Sequence, residues 1–394
     1  MKRPPLEVAT VVRAVRDRFV QKNRAWLQWS HLKVMGAIVR CRTAELGGHR
    51  DECPSCGHRA ISYNSCRNRH CTKCQSALRQ RWLENRKTEL LPTGYFHVVF
   101  TLPHALSTLA LQNKRRIYDL LFRASAEALL EVAANPRHLG AHVGFLGVLH
   151  SWGQNLLHHP HIHYVIPAGG LSPDRSRWLH SRPNFFLPKY VLRRVFRGKF
   201  VDGLESLFLQ HKLTLTGSLQ LMANNEKVFR SFLRAIHRHH WVVYLKPPFG
   251  GPDHVLRYLA RYTHRVAISN HRLLRFENNQ VTFRWRDYAH GNKKRIMTLS
   301  AEEFLRRFLL HVLPSSFVRI RFFGFLANCR RAELLPLCRG LLQQVKPLAS
   351  TKPAPAEHPL FRCPRCSTPM VIIERLTALA LHLAANRSVP VDSS

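Results

Sequence analysis

At 394 residues the chain is long enough for two or three domains with a proper core. Lys and Arg number 61 against 23 Asp and Glu, a net charge of +38, while hydrophobic residues make up 45% of the chain. That apolar content excludes global disorder, and a cationic excess spread along the whole sequence points to a polyanion, nucleic acid before a membrane surface. There is no apolar run near 18 residues and no signal-peptide pattern. The expected location is therefore the cytoplasm, where ten cysteines stay reduced or metal-bound.

In chain order, residues 1–40 read as amphipathic helix, with Val11, Val12, Val15, Phe19, Trp26 and Val34 near helical spacing. A cysteine-rich segment occupies 41–80, and a helix from about Ser76 to Leu90 ends before Pro92. Then "YFHVVFTLP" (95–103) reads as a buried strand and 105–134 as helix. "HVGFLGVLHSW" (142–152) and "HIHYVIPAGG" (161–170) read as strands flanking a polar turn at Gln154 and Asn155. Residues 189–238 are mostly helical, 241–251 are a strand and loop, and Pro252 opens a further helix. A meander follows, with Asn278-Asn279 as a turn, then a short helix (301–312) and the apolar-basic run 317–326. A Pro/Ala/Lys-rich linker (346–357) leads to a tail holding Cys363 and Cys366. Strands and helices without strict alternation indicate an α+β fold with a mainly antiparallel sheet. The expected domains are 1–92, helical and zinc-binding; 93–330, catalytic; and 331–394, basic linker and small tail.

Six of the ten cysteines fall between residues 41 and 74. Cys53-Pro-Ser-Cys56 and Cys71-Thr-Lys-Cys74 stand fourteen residues apart, and two thiolate pairs on tight knuckles make a closed tetrahedral zinc site of structural type. Cys41, His49, Cys66 and His70 remain in the same segment as candidate ligands of a second zinc. Their alternative is a packed cysteine with solvent- or DNA-facing histidines. Cys363-Pro-Arg-Cys366 is half a ribbon with nothing downstream, for which Cys329, Cys338 and His358 are the available partners. Plain packing serves Cys329 and Cys338 equally well.

Two motifs carry chemistry. In a strand, residues i and i+2 share a face, so His161 and His163 aim two imidazoles at one spot, about 6–7 Å apart at the backbone. Such a pair suits two corners of a Mg²⁺ or Mn²⁺ site, and Gln154, seven residues earlier, is the expected third ligand, with Asn155 and His158 as alternatives. Tyr258 and Tyr262 are spaced i, i+4, which on a helix sets both hydroxyls on one face with Cβ atoms about 5–6 Å apart. Arg257, Arg261 and Arg265 form a stripe beside them, suited to flanking phosphates. Either motif alone occurs as ordinary packing. Their conjunction with a zinc segment in a chain of charge +38 points to cutting DNA through a phosphotyrosine.

The runs "YNSCRNRHCTKCQ", "FHVVFTLPH", "WGQNLLHHPHIH", "YLARYTHRVAISN" and "RFLLHVLPSSFVRIRFFGFLAN" resemble, in order, the two-tyrosine HUH transposases of the bacterial insertion-sequence family numbered ninety-one. The resemblance spans residues 9 to 330, most of the chain. It implies a zinc-binding N-terminal domain followed by an HUH endonuclease with a ferredoxin- or RRM-like antiparallel sheet and flanking helices. By position it makes His161 and His163 the metal pair and Tyr258 and Tyr262 the nucleophiles. It further implies rolling-circle-like transposition through single-stranded element ends and target, in the bacterial nucleoid and with host replication factors as partners. A monomer is among the assemblies the sequence allows. The neighbouring readings are a rolling-circle replication initiator or relaxase using the same chemistry, and a non-catalytic zinc-ribbon DNA-binding protein. The sequence has no Walker motif, which favours a stand-alone transposase over a fused helicase.

Overall fold

The structure, a computed structural model, describes residues 4–75, 80, 82–84, 86, 88–246, 267–287, 291–343 and 361–387. It divides into two compact units that do not follow the consecutive segments 1–92, 93–330 and 331–394. One unit takes the described residues within Met1–Leu78, Ile268–Arg306 and Ser350–Ser394; the other takes those within Arg79–Ala267 and Arg307–Ala349. Strand pairing joins Val371–Leu376 to Gly48–Glu52 and Ile320–Gly324 to Gly144–Trp152, while the Val8 amide donates to the Asn270 side chain at 3.1 Å.

In the first unit the amphipathic N-terminus forms two helices, Val8–Lys22 and Trp29–Arg40, instead of one. The break lies at Asn23, whose amide side chain donates to the Phe19 carbonyl at 2.8 Å and accepts from the Trp26 indole at 2.9 Å. The second helix then restarts with a reciprocal Gln28–His31 cap. Val8, Val11, Val12, Val15 and Phe19 fall on the buried stripe of the first helix. Strands β1 (Gly48–Glu52) and β2 (Arg59–Tyr63) pair antiparallel, and β13 (Val371–Leu376) adds to the other edge of β1. A separate meander comprises β9 (Leu273–Glu277), β10 (Gln280–Asp287) and β11 (Lys293–Ser300). Asn278 and Asn279 both take positive φ, 49° and 58°, as a tight two-residue hairpin turn requires.

The second unit is built on a five-stranded, wholly antiparallel sheet. Its strands are β3 (Tyr95–Thr101), β4 (Gly144–Trp152), β5 (His158–Pro167), β8 (Val242–Lys246) and β12 (Ile320–Gly324), in the order β12–β4–β5–β3–β8. The HIH strand β5 is thus central. The α+β class with an antiparallel sheet and flanking helices is the one the sequence indicates. Alternation sorts the faces. Phe96, Val98, Phe100, Phe145, Leu149, Ile162, Tyr164 and Ile166 turn to one side and join the main core with helices Lys114–Ala134 and Lys189–Leu209. Gly147 of β4 stands opposite Tyr164, and a Cβ there would meet the Tyr164 ring at 2.5 Å, so the small residue makes room for the large one. The other face carries Tyr95, Leu146, Val148 and Val165 toward one end of the strands and the histidines toward the other.

The expected helix 105–134 is divided at Asn113, whose side chain bonds the Leu109 and Thr214 carbonyls and the Thr214 amide. A helix at Arg331–Gln343, read from sequence as part of a linker, buries Leu334, Leu335, Cys338 and Leu342 beside Trp178 and Phe325. The short β6 (Gly169–Leu171) and β7 (Trp178–His180) pair with each other. Among the described residues no helix is long and apolar enough to cross a membrane.

Candidate metal centre and cysteine clusters

His161 and His163 lie on the same face of β5, as alternation demands, and both are buried or half-buried. The register of the β4–β5 hairpin sets His150 directly opposite His161, and Val148 opposite His163. The outcome is a group of three imidazoles, His150, His161 and His163, whose ligand nitrogens all lie within 4.8 Å of one another. His150 was not singled out from sequence. Folding "HSWGQNLLHHPHIH" about its polar turn brings residues 150 and 161 together only in the observed register, which shifts between His150 and Trp152. Gln154, expected as the third ligand, sits in that turn beyond the last cross-strand pair, Trp152 with His158. The turn is closed by Gly153 donating to the Leu157 carbonyl at 2.9 Å.

Hydrogen bonds orient the rings. His161 donates from Nδ1 to the His159 carbonyl at 2.7 Å, which leaves Nε2 as the lone-pair nitrogen. His163 Nδ1 is 2.8 Å from His97 Nε2, and the two rings stack nearly parallel, 5.0 Å between centroids and 7° between planes. Burial holds His161 down to about 3, with the neighbouring His159 and His97 adding to the effect. His163 is pushed well below the ordinary imidazole range by burial and by His150, His161 and His97. Burial likewise holds His97 down to about 3, with Lys246 adding to the effect. These imidazoles are neutral at physiological pH and keep lone pairs to donate. Three convergent ring nitrogens, with one ring fixed by a backbone carbonyl and another by a second histidine, fit a divalent cation.

Tyr258, Tyr262, Arg257, Arg261 and Arg265 lie outside the described residues.

The thiols group differently from the sequence expectation. Cys53 and Cys56 do not share a site with Cys71 and Cys74. Instead Cys41, Cys66, Cys71 and Cys74 form one set of four, and Cys53, Cys56, Cys363 and Cys366 another. In the first set Cys74 Sγ is 3.5 Å from Cys41 and 3.7 Å from Cys66. Zinc–sulfur bonds of about 2.3 Å in a tetrahedron put sulfurs about 3.8 Å apart, so both sets match a closed structural zinc site. All ten cysteines are free of disulfides. The reason for the regrouping is topological. Cys53 and Cys56 lie at the β1–β2 turn, where β13 delivers Cys363 and Cys366, while Cys41 follows the second helix and meets the 66–74 loop. The histidines of the expected second site are elsewhere: His49 faces Asp51 at 3.5 Å, and His70 bonds the Asn68 side chain at 3.2 Å. Cys338 packs in an apolar cluster and Cys329 is exposed.

Comparison with known proteins agrees with these features. Residues 11–102 match the family described as "Transposase zinc-binding domain", of IS91 type, and residues 144–333 match the family described as "Putative transposase". The "Putative transposase y4qJ" of Sinorhizobium fredii is 50% identical over 376 residues, 93% of this chain and 94% of the relative. The "Transposase for insertion sequence element IS801" of Pseudomonas savastanoi pv. phaseolicola is 30% identical over 381 residues, 91% of this chain and 90% of the relative. No solved structure matches. With relatives aligned along nearly its whole length and a structural zinc domain at its start, the chain belongs to the IS91 family of insertion-sequence transposases, enzymes that act on DNA.

Proposed function

We propose that this transposase is a metal-dependent HUH nuclease and strand transferase that opens single-stranded DNA at its element's ends and rejoins it, in a rolling-circle-like transposition. The observation that carries the reading is the trio of buried imidazoles on one face of the central antiparallel strand. His150, His161 and His163 would hold the ion, with Gln154 of the hairpin turn the further candidate ligand; when bound, Mg²⁺ or Mn²⁺ supplies concentrated positive charge beside the scissile phosphate. Three imidazoles with no carboxylate beside them suit Mn²⁺ better than Mg²⁺.

The nucleophile is the phenol oxygen of Tyr258 or Tyr262. Its attack forms a bond to phosphorus and breaks the bond to the 3′ oxygen; the phenol gives up its proton and the departing oxygen takes one. The products are a 5′-phosphotyrosine and a free 3′-OH, and the retained ester permits rejoining. Two tyrosines allow a second strand to be cut while the first stays attached. Arg257, Arg261 and Arg265 position flanking phosphates. On the histidine face of the sheet, register runs from His163 through Val99 to Tyr244, a residue 53% exposed. An exposed aromatic there is a platform on which an unpaired base can stack.

The test uses the full chain and labelled single-stranded DNA carrying the element's ends, with Mn²⁺, resolved on a denaturing gel. An SDS-resistant adduct is expected from the wild type and none from Tyr258→Phe plus Tyr262→Phe, with DNA binding retained. Adducts that persist in the double variant would overturn the assignment.

A further inference from the structure

The tail pair Cys363 and Cys366 lies outside both matched families, which end at residues 102 and 333. We infer that it is half of a zinc ribbon whose other half is Cys53 and Cys56, so that a metal joins segments more than 300 residues apart and the chain carries two structural zinc ions. Three independent features of the first unit support this.

The sulfurs are arranged for one tetrahedral ion. Cys53 Sγ is 3.3 Å from Cys366, Cys56 is 3.5 Å from Cys363 and 3.6 Å from Cys366. Each such spacing is close to the tetrahedral edge of about 3.8 Å.

The two loops also have the same backbone design. In Cys53-Pro-Ser-Cys56-Gly57, the Cys53 amide donates to the His58 carbonyl and the Gly57 amide to the Cys53 carbonyl, each at 2.9 Å. In Cys363-Pro-Arg-Cys366-Ser367, the Cys363 amide donates to the Thr368 carbonyl and the Ser367 amide to the Cys363 carbonyl, again at 2.9 Å. The residue after each second cysteine takes left-handed φ, 66° at Gly57 and 62° at Ser367. A serine in that conformation is uncommon, so the tail adopts the knuckle despite its cost. The Arg365 amide also points at Cys363 Sγ at 3.4 Å, as a donor that stabilises thiolate charge.

Finally, the segment after the tail knuckle completes a sheet. β13 pairs with β1 from Gly48↔Leu376 to Glu52↔Val371, and Arg50 meets Glu374 at 2.9 Å. Cys53, Cys363 and Met370 are buried together beside Ala60. Two knuckles, each leading into a strand of one sheet, enclose the metal position.

The experiment counts thiolate-bound zinc in the purified full chain, released by a mercurial and read with a zinc-sensitive dye. That readout ignores any ion on the histidines. The wild type should release two zinc ions per chain and Cys363→Ser plus Cys366→Ser one; Cys329→Ser plus Cys338→Ser should still release two. Two ions from the tail double variant, or only one from the wild type, would overturn the inference. Should the double variant aggregate, Cys363→His, which keeps a ligand, should retain two metals. After cobalt substitution it should lose part of the thiolate-to-cobalt charge-transfer absorption, and an unchanged spectrum would overturn the inference equally.

Discussion

At the scale of single residues, the nuclease reading rests on how the ring nitrogens are shared. A cation on His163 Nε2 needs Nδ1–H turned toward His97 Nε2, and burial keeps His97 neutral and able to accept that proton. On the proposed function, His97 would act through His163 as a positioning residue. His97→Phe should weaken Mn²⁺ binding by about 10–100-fold, read by titration of the full chain, while the protein stays folded. Unchanged affinity would contradict this role. The pair His161 and His163 was legible in the sequence because strand periodicity is local. His150 was obscured because its proximity depends on hairpin register, eleven residues away from His161. The cysteines mislead for a related reason. Spacing joins Cys53 and Cys56 to Cys71 and Cys74, whereas the real partners of the first pair are 307 and 313 residues distant, beyond any local rule.

Elements show what fixes the β4–β5 hairpin. His311 donates from Nε2 to the Leu156 carbonyl at 3.0 Å and meets Ser151 Oγ at 3.3 Å, while Tyr118 OH lies 2.9 Å from His158 Nε2. Leu156 holds a φ of 63° in this turn. Burial holds His158 down to about 2, with His311 and Lys114 adding to it, and holds His311 down to about 3. In the unfolded chain both titrate near 6.5. On acidification the unfolded state thus takes up protons first, so the stability these neutral rings contribute is complete above about pH 6.5 and falls from there toward pH 3. At pH 5 the loss is about 2 kcal/mol for each ring. The melting temperature should drop between pH 7 and 5, and His311→Gln should melt lower at pH 7 but show a shallower drop. A variant with the same pH slope as the wild type would refute the linkage. Other elements were legible by pattern, among them the central strands and the Asn278-Asn279 turn. The helix Arg331–Gln343 was not, because Pro336 within it argues locally against helix. Burial of Leu334, Leu335 and Leu342 outweighs that local preference.

For the molecule as a whole, a charge of +38 and two thiol clusters describe a chain built to hold a polyanion on metal-stabilised folds. The fold class and the transposase family were legible from composition and motifs. The division into units was not, since discontinuous domains arise from pairings such as β1 with β13 that leave no periodic trace. What binds these scales together is the claim that a tyrosine near residue 260 becomes covalently joined to DNA in a reaction that needs the histidine centre. The most direct measurement is proteolysis of the Mn²⁺-dependent DNA adduct followed by mass spectrometry of the nucleotide-bearing peptide. The account predicts a 5′-phosphate ester on Tyr258 or Tyr262, and no adduct from His161→Ala plus His163→Ala. An adduct mapped to any other residue, or one formed equally without the histidine pair, would contradict it.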